Sequence, residues 1–459
     1  MSVVDSAIVI VWLLVVLAAG MIAGARANLE RFWVNERRTP TSLLVFTIVA
    51  TQVGGGTVIG ITSSSFTSGT GFGLVAIVST VLGFLAVAWL APWAKRFGDR
   101  NKAYTLPEVI GKRYGRPAQL VAAGIIVFAY LSLLAGQIVS AGVLVSVWTG
   151  ASLVMALVLA AGGVIVYTAY AGLRGDIVTD AIHFWAKGLI LFGILLPCIA
   201  AKEPLLFVLR SLPSDAWSPV RFGGYTYLVA GVILGGLIPV VSMEMWMRVY
   251  AATTEAKARA SFVWSAVLVV PFYVLPMALG LAAIRLVPHS ADPDRTLFAL
   301  MFSYMPHALL GLGVAGILSV VISAANTMIV VIGAVIYRDV LGRKEGVDAL
   351  ELRRSRLITF LVGLVGFLFA VGVPSIVQLI LNAFFVVGML TPALAGVTLW
   401  RRGTSAGAFA SLLLGGLTTL AFLPIMPKQA FAPGLALSVL AFVIVSRLTR
   451  HAPAEDLGM

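Results

Sequence analysis

Long apolar runs separated by short polar loops fill almost the whole chain, and they set the fold class. A helix that crosses the hydrocarbon core of a bilayer needs about 20 residues. We find thirteen runs that approach or exceed this length, at 6–25, 42–66, 71–94, 118–147, 152–171, 176–200, 224–246, 260–286, 299–336, 356–373, 376–399, 405–425 and 430–447. Several exceed it clearly, so we expect tilts or breaks. The pattern predicts an all-α polytopic membrane protein with about 13 transmembrane helices.

The composition agrees and excludes other classes. Hydrophobic residues make up 60% of the chain and charged residues 11%, whereas soluble domains carry about 25% charged residues. The lone Cys198 lies in an apolar run without metal or redox spacing. No Gly-x-x-x-x-Gly-Lys motif is present, and the four histidines form no catalytic cluster. We therefore expect neither an enzyme nor direct use of ATP, and no organic cofactor.

Basic residues predict the orientation in the membrane. The loops after the odd-numbered runs, together with the C-terminal segment, hold 25 of the 32 Lys and Arg residues. The positive-inside rule then places the N-terminus outside and the C-terminus, with a short tail at 451–459, in the cytoplasm. The first run lacks the basic start of a cleaved signal peptide, so we expect it to stay as an anchor in the cell (inner) membrane. The net charge of +13 is an orientation signal, and we expect no nucleic-acid partner.

The second run contains three consecutive glycines, Gly54 to Gly56, between Gln52 and Thr57. Glycine lowers helix stability by roughly 1 kcal/mol relative to alanine, and an unsatisfied peptide group in lipid costs several kcal/mol. Broken helices are tolerated at mid-bilayer where the released groups line a cavity, as in transporters. The alternative is close helix packing through small residues. The pattern favours a broken helix.

Several short motifs occur in the order found in one known family. They are the glycine-rich second run with Gly69-Thr70-Gly71, Thr105-Leu106-Pro107-Glu108 to Tyr114-Gly115, Tyr170-Ala171-Gly172-Leu173-Arg174 with Thr179-Asp180, Trp246-Met247-Arg248, Ser323-Ala324-Ala325-Asn326 with Arg338-Asp339, Pro392-Ala393-Leu394, and Trp400-Arg401-Arg402-Gly403-Thr404. Each is weak alone. As an ordered set over roughly residues 30 to 420, they resemble the sodium:solute symporter family.

The resemblance implies the LeuT-type fold. Two five-helix repeats of opposite membrane orientation would form the core, with solute bound at their interface near the bilayer midplane. We expect a leading helix in 1–30, a first repeat in 40–200, an inverted second repeat in 222–400 and two trailing helices in 404–450.

By similarity, one sodium ion would lie where the broken second run meets the ninth run. The resemblance assigns as ligands the carbonyls of Ala50, Val53 and Val320 and the hydroxyl of Ser323. The family normally supplies a second, adjacent hydroxyl, which Ala324 lacks; a register shifted to Ser319-Val320 lacks it too. The loss of one of about five oxygens puts sodium coupling in question.

Three ionisable residues of the sixth run bear on the same point. Asp180, His183 and Lys187 lie at i, i+3 and i+7, on one face of a helix. Asp180 corresponds to the family's acidic residue near the ion. Ionisable groups within spans mark ion pathways or proton relays, so Lys187 could serve as a permanent or protonatable substitute for the cation, and His183 is a second candidate for the proton. Alternatively, Lys187 snorkels to an interface and His183 is a packed, hydrogen-bonded residue.

The resemblance also outlines a solute pocket. It would be lined by Gln52, the backbone at Gly54, Gly55 and Gly56, and Thr57, facing Gly235 and Gly236. Free amides at a half-helix N-terminus favour an anionic group, which indicates an amino acid or a monocarboxylate. Near the end of the seventh run, we expect Glu244 to pair with Arg248 at i+4 and Trp246 to anchor at the interface.

Together these features predict a secondary active transporter that couples sodium to symport of a small organic solute by alternating access, acting as a monomer in the bilayer. The alternative within this class is a proton-coupled or sodium-independent transporter that uses Lys187 and Asp180 in place of the sodium site. The alternative of another class is a membrane sensor built on the same bundle.

Overall fold

The structure is a computed structural model that describes residues 3–24, 29–289, 292–307, 309–342, 349–373, 375–400, 402–427 and 429–449. The predicted tail at 451–459 lies outside the described residues. The described residues form α-helices at α1 Val3–Gly24, α2 Leu29–Val34, α3 Thr41–Gln52, α4 Gly55–Ser68, α5 Gly71–Asn101, α6 Leu106–Tyr114, α7 Arg116–Thr149, α8 Leu153–Gly188, α9 Leu196–Lys202, α10 Leu205–Arg210, α11 Gly224–Val241, α12 Met243–Ala251, α13 Glu255–Leu286, α14 Thr296–Tyr304, α15 Leu309–Val335, α16 Ala349–Gly372, α17 Ile376–Val387, α18 Thr391–Thr398, α19 Ser405–Phe422 and α20 Phe431–Leu448.

The membrane-crossing helices confirm the predicted all-α class, but the count of 13 is not confirmed. Among the described residues, 11 helices are long and apolar enough to cross a bilayer, or up to 12 if α3 and α4 form one bent span. The runs expected at 152–171 and 176–200 form one helical stretch, Leu153–Lys202, of 50 residues. A straight helix of that length would measure about 75 Å, far more than the roughly 30 Å hydrocarbon core. The stretch is broken at Gly172, whose φ of 59° is non-helical.

The second run is broken, as predicted. α3 ends at Gln52, Val53 and Gly54 leave helical geometry, and α4 begins at Gly55. Gly54 has an extended backbone (φ −89°, ψ −177°). Two helices therefore meet end to end inside the bundle, and the peptide groups at their ends need partners other than their own helix.

A second break divides the seventh run. α11 ends at Val241, Ser242 is extended (φ −74°, ψ 121°), and α12 begins at Met243. Pro239 in the last turn of α11 removes one backbone donor. The indole nitrogen of Trp246 donates to the Val240 carbonyl at 2.8 Å, which compensates part of the break. Trp246 is buried, so the expected interfacial anchor is wrong.

The two broken segments lie against the centre of the bundle. α15 is buried along nearly its whole length, and α3, α7, α8 and α12 contact it. On the opposite side of the breaks, α5 packs along α11 and α13. By contrast, α1 leaves most of its apolar side chains exposed, as a lipid-facing helix should. This arrangement puts the ends of four half-helices at the bundle interior.

Candidate functional site

The carbonyl groups released by the first break are bound by one lysine. Lys187 of α8 donates through Nζ to the carbonyl oxygen of Ala50 at 2.5 Å and to that of Val53 at 3.0 Å. These are two of the carbonyls that the family resemblance assigns to sodium. Lys187 is 1% exposed, so the alternative of a lysine that snorkels to an interface is wrong. The ammonium group therefore occupies the part of the predicted cation site formed by the Ala50 and Val53 carbonyls.

Two further polar contacts stabilise the break. Thr57 donates its hydroxyl to the Gln52 carbonyl at 2.8 Å, across the gap between α3 and α4. The Gly55 amide donates to Oε1 of Gln137, from α7, at 2.8 Å. Because an unpartnered peptide group costs several kcal/mol inside a bilayer, these contacts explain how the break is stable. They also mean that the Gly55 amide is already occupied.

The other predicted sodium ligands lie nearby but do not surround the lysine. Ser323 donates its hydroxyl to Oδ1 of Asp180 at 2.5 Å. Ala324 is buried next to Gly54, so that a Cβ on Gly54 would stand 2.9 Å from the Ala324 Cβ. Val320 is fully buried on α15, one turn before Ala324. The structure thus joins Ala50 and Val53 through Lys187, and joins Ser323 to Asp180.

A second built-in cation, Arg248 of α12, lies beside Asp180. Five oxygen atoms lie within 3.3 Å of its Nη2 nitrogen, although an NH₂ group has only two hydrogens. They belong to Asp176 (2.8 Å), Thr327 (3.0 Å), Thr47 and Thr51 (3.1 Å each) and Asp180 (3.3 Å). The five oxygens therefore share two hydrogens, whereas Nε and Nη1 of Arg248 have no hydrogen-bond partner among the described residues. We call these six residues the Arg248 cluster.

The Arg248 cluster connects four helices. Thr47 and Thr51 belong to α3, Thr327 to α15, the two aspartates to α8, and Arg248 to α12. Thr47 also donates to Asp180, and Thr327 donates to Oδ2 of Asp176 at 2.8 Å. All six side chains are buried. A buried ion pair that is broken on one side leaves an uncompensated charge, which costs about 3–5 kcal/mol, so the cluster holds these helices together.

His183 does not join either cation. It is fully buried on α8, and neither ring nitrogen has a hydrogen-bond partner among the described residues. His183 is packed in the bundle, but the hydrogen bond expected for it is not found among the described residues. No group of three or more His, Cys, Asp or Glu side chains suited to a metal occurs within the described ranges.

A cavity of about 150 Å³ lies beside the two breaks. Of the residues predicted to line a solute pocket, Gln52, Gly54, Thr57 and Gly235 line it. Gly55 faces Ser140 and Val321, and Gly236 packs towards Gly83 of α5. Gly56 lies in the first turn of α4. The cavity extends from the breaks to Phe72 and Tyr227, near the first turns of α5 and α11.

The cavity wall is apolar and aromatic with a few polar groups. Aromatic side chains that line it are Phe72, Tyr227, Tyr273, Phe384, Phe385 and Phe431. Gln52 donates Nε2 to the Tyr273 hydroxyl at 3.2 Å, and Thr80 lies 3.4 Å from the same hydroxyl. This combination of an apolar lining and a few oriented polar groups is typical of sites for small organic molecules.

Glu244 lines the cavity too, and its expected pairing with Arg248 is wrong. It accepts a hydrogen bond from the Tyr130 hydroxyl of α7, while Arg248 pairs with Asp176 and Asp180. The spacing of four residues suggested the local pair, but burial between α3, α8 and α15 gave Arg248 stronger partners.

Sequence reasoning missed several residues at this site. Gln137 and Tyr130 lie on α7, far along the chain from the groups they bind, and carry no local signal. Asp176 could have been found, because it lies four residues before Asp180 on the face that also bears Lys187.

A statistical model of the sodium:solute symporter family matches residues 32–203 and 217–415. The sodium/pantothenate symporter of Escherichia coli is 22% identical over 449 residues, which cover 93% of this chain and 92% of that protein. The osmoregulated proline transporter OpuE of Bacillus subtilis is 22% identical over 88% of this chain and 86% of its own length. A monocarboxylic acid transporter of Corynebacterium glutamicum is 26% identical over 215 residues, which span 41% of this chain and 37% of that protein.

Solved structures give the same fold. A Na⁺-coupled sialic acid symporter in a substrate-bound outward-open state superposes with a TM-score of 0.86 at 16% identity, over the full length of both chains. A nucleobase–cation symport family transporter superposes with a TM-score of 0.58 at 13% identity, over 92% of this chain and 95% of the other. The fold is therefore LeuT-type. The family, a Na⁺-coupled one, supports sodium as a coupling ion and consists of transporters rather than enzymes. The chain is a multi-pass membrane protein that belongs to the sodium:solute symporter family.

Proposed function

We propose that this protein is a secondary transporter of a small organic solute in which the Lys187 ammonium group takes the place of the coupling sodium ion. The observation that carries the proposal is the pair of contacts from Lys187 Nζ to the Ala50 and Val53 carbonyls, at 2.5 and 3.0 Å. Sodium coupling, which family membership supports, is the other candidate. The two candidates differ in whether Lys187 or a sodium ion binds the Ala50 and Val53 carbonyls.

An ammonium group can replace sodium at this site in charge and in its contacts with oxygen atoms. Both carry one positive charge, and a lysine ammonium has three hydrogens to direct at oxygen atoms. The second hydroxyl that the family resemblance assigns to a sodium shell is absent at Ala324. A sodium ion entering this site would have to displace a buried, tethered cation from two of its ligands, which disfavours sodium binding.

We propose a small carboxylate as the solute, an amino acid or a monocarboxylate. The names of the relatives support this, because monocarboxylic acids, pantothenate and proline all carry a carboxyl group. Since the Gly55 amide is bound to Gln137, donors for the solute would come from the side chains of Gln52, Thr57 and Tyr273, which all line the cavity.

We further propose an access cycle from the predicted orientation in a bacterial inner membrane. With the N-terminus outside, the cavity would face the external solution, and the Arg248 cluster would close the cytoplasmic side. Opening that side would require the cluster to separate α12 from α8, as alternating access by bundle movement demands. The repeat boundaries at 40–200 and 222–400, and a monomeric state, remain predictions.

Uptake into proteoliposomes tests the proposal. Radiolabelled pyruvate, acetate, proline and pantothenate would be offered with a sodium gradient and a pH gradient imposed separately. We expect uptake of at least one solute in sodium-free buffer, above that of protein-free liposomes into which acetic acid diffuses, at a rate that added sodium leaves unchanged. Uptake that a sodium gradient stimulates at fixed pH would reject the ammonium substitution and support sodium symport. No uptake of any of the four would reject the proposed solute class.

A further inference from the structure

A tethered ammonium group cannot cross the membrane, so it cannot deliver the energy of an ion gradient. If the proposed function holds, accumulation of solute needs another ion that binds from one side and leaves on the other. Glu244 is the one Asp, Glu, Lys, Arg or His side chain among the described residues that line the cavity. We infer that Glu244 is the proton-binding site of the transport cycle; this inference rests on the proposed function.

The surroundings of Glu244 suit a reversible proton site. Its side chain is 5% exposed, and no basic side chain of the described residues lies within the 4 Å of an ion pair. The Tyr130 hydroxyl donates to its carboxylate, and the Glu244 amide lies 3.4 Å from the same hydroxyl. Ionisable groups at such depth are rare and mark ion pathways and proton relays. A proton can reach this one through the cavity.

The other titratable groups near Glu244 are neutral phenols or engaged cations. Tyr130 approaches it from α7, and Tyr227 and Tyr273 line the same cavity from α11 and α13. On its own helix, Arg248 lies one turn further and is bound to aspartates. None of these groups forms an ion pair with the carboxylate, because Arg248 is paired with Asp176 and Asp180.

At the far end of α12, two basic side chains meet a different carboxylate. Lys95 of α5 donates to the Tyr250 carbonyl and to Asp99. Arg37 lies 3.4 Å from Asp99 as well. Lys95 and Arg37 are thus paired with Asp99 rather than with Glu244. The charge of Glu244 therefore depends on whether its carboxylate has bound a proton.

The position of Glu244 links proton binding to movement. It lies in the first turn of α12, directly after the break at Ser242, and Arg248 lies on the same nine-residue helix. An external proton forms an O–H bond with a carboxylate oxygen and neutralises the group. Closing the cavity over a neutral carboxyl costs less than closing it over a charge. Once α12 has moved and the solute has left, the O–H bond breaks and the proton passes to the cytoplasmic solution.

Infrared difference spectroscopy between acid and neutral pH tests the site without any solute. We expect wild-type protein to show a protonated-carboxyl band that disappears as the pH rises, that is absent in Glu244→Gln, and that is unchanged in Glu255→Gln, an exposed control on α13. Tyr130→Phe, which keeps the carboxyl, should shift the band by removing its hydrogen bond. A band that Glu244→Gln retains, or that Tyr130→Phe leaves unmoved, would overturn the assignment.

Uptake then tests whether the proton is coupled. With one pH unit across the vesicle, 1:1 symport gives accumulation of about tenfold. We expect this for the pyruvate, proline or pantothenate that wild type transports, measured above the accumulation in protein-free liposomes. For Glu244→Gln we expect a ratio of one, with solute exchange still measurable. Tenfold accumulation by the variant overturns the inference. The inference is also overturned if Glu244→Gln loses all solute exchange and an amine-bearing solute shifts the carboxyl band of wild type. Glu244 would then bind the solute rather than the coupled proton. If wild type takes up none of the solutes but its carboxyl band still titrates as described, the proposed function is rejected and the proton site at Glu244 is not.

Discussion

The ammonium nitrogen of Lys187 lies 2.5 Å from the carbonyl oxygen of Ala50, at the C-terminal end of α3 where the break before α4 begins. A side chain of α8 thereby donates hydrogen bonds to backbone carbonyls at the end of α3 that no longer accept them from their own helix. The family resemblance predicted a sodium ion at this place. Here the charge is covalently attached, so it can stabilise the break throughout the transport cycle.

Removal of the lysine charge should destabilise the protein. Lys187→Met leaves the Ala50 and Val53 carbonyls buried without a donor, and each unsatisfied group costs about 1–3 kcal/mol. We expect a marked fall in the thermal unfolding midpoint in detergent and loss of uptake. Lys202→Met, which removes an exposed lysine that donates to the Ser303 carbonyl, is the matched control and should change stability by about 0.5 kcal/mol at most. Equal midpoints for the two variants would contradict the structural role.

The Arg248 cluster makes a larger prediction. Arg248→Gln leaves Asp176 and Asp180 without their cation, and loss of one partner of a buried pair costs about 3–5 kcal/mol. Arg221→Gln is the control, because its partner Asp215 is exposed and exposed pairs contribute at most about 1 kcal/mol. Denaturation curves of the two variants should differ clearly. If Arg248→Gln were as mild as its control, the cluster would not hold α12 against α8.

Close packing at the break predicts a rescue. A Cβ at Gly54 would stand 2.9 Å from the Ala324 Cβ, so Gly54→Ala should cost about 1–3 kcal/mol through overpacking. The amide atoms of Gln137 would lie 3.1 and 3.2 Å from the same Cβ. Adding Ala324→Gly removes the nearest of these contacts and should restore part of the loss. Gly162→Ala on α8, where the new Cβ meets nothing within 4 Å, should be neutral or slightly stabilising. Thermal unfolding midpoints of the three variants test this prediction. A double variant no more stable than Gly54→Ala would argue against the contact between positions 54 and 324.

Gln137 should be required for its carbonyl rather than its amide nitrogen. Gln137→Leu leaves the Gly55 amide unpartnered, with an expected loss of about 1–3 kcal/mol. Gln137→Glu keeps an acceptor beside the N-terminus of α4, where a negative charge is favourable, and should retain stability. Thermal unfolding of both variants measures the difference; a Glu variant as unstable as the Leu variant would show that the contact with Gly55 is unimportant.

The features predictable from the sequence were those with a local cause. Gly54 to Gly56 interrupt an apolar run, and the break follows from the helix propensity of glycine. The place of Lys187 in the sixth run indicated a role in the bundle but left snorkelling to an interface open, and only its burial in the structure decides between them. Its two carbonyl partners could be named only through the family resemblance, because a contact between α8 and α3 has no signature in either segment.

The rest depended on tertiary packing. The spacing of Glu244 and Arg248 suggested a pair within one helix, but three helices converge on Arg248 and supply five oxygens. The second break, at Ser242, has no glycine run to announce it. The count of spans was uncertain for a related reason: Leu153–Lys202 reads as two apolar runs, and only the backbone at Gly172 reveals how they join.

Binding of ²²Na⁺ to the purified protein tests most directly whether the lysine has replaced the ion. We expect no saturable binding to wild type or to Ala324→Ser, because the ammonium group already occupies the Ala50 and Val53 carbonyls. The double variant Lys187→Ala with Ala324→Ser frees those carbonyls and restores the second hydroxyl, and it should bind sodium saturably. Saturable sodium binding by wild type that Ser323→Ala abolishes would contradict the account.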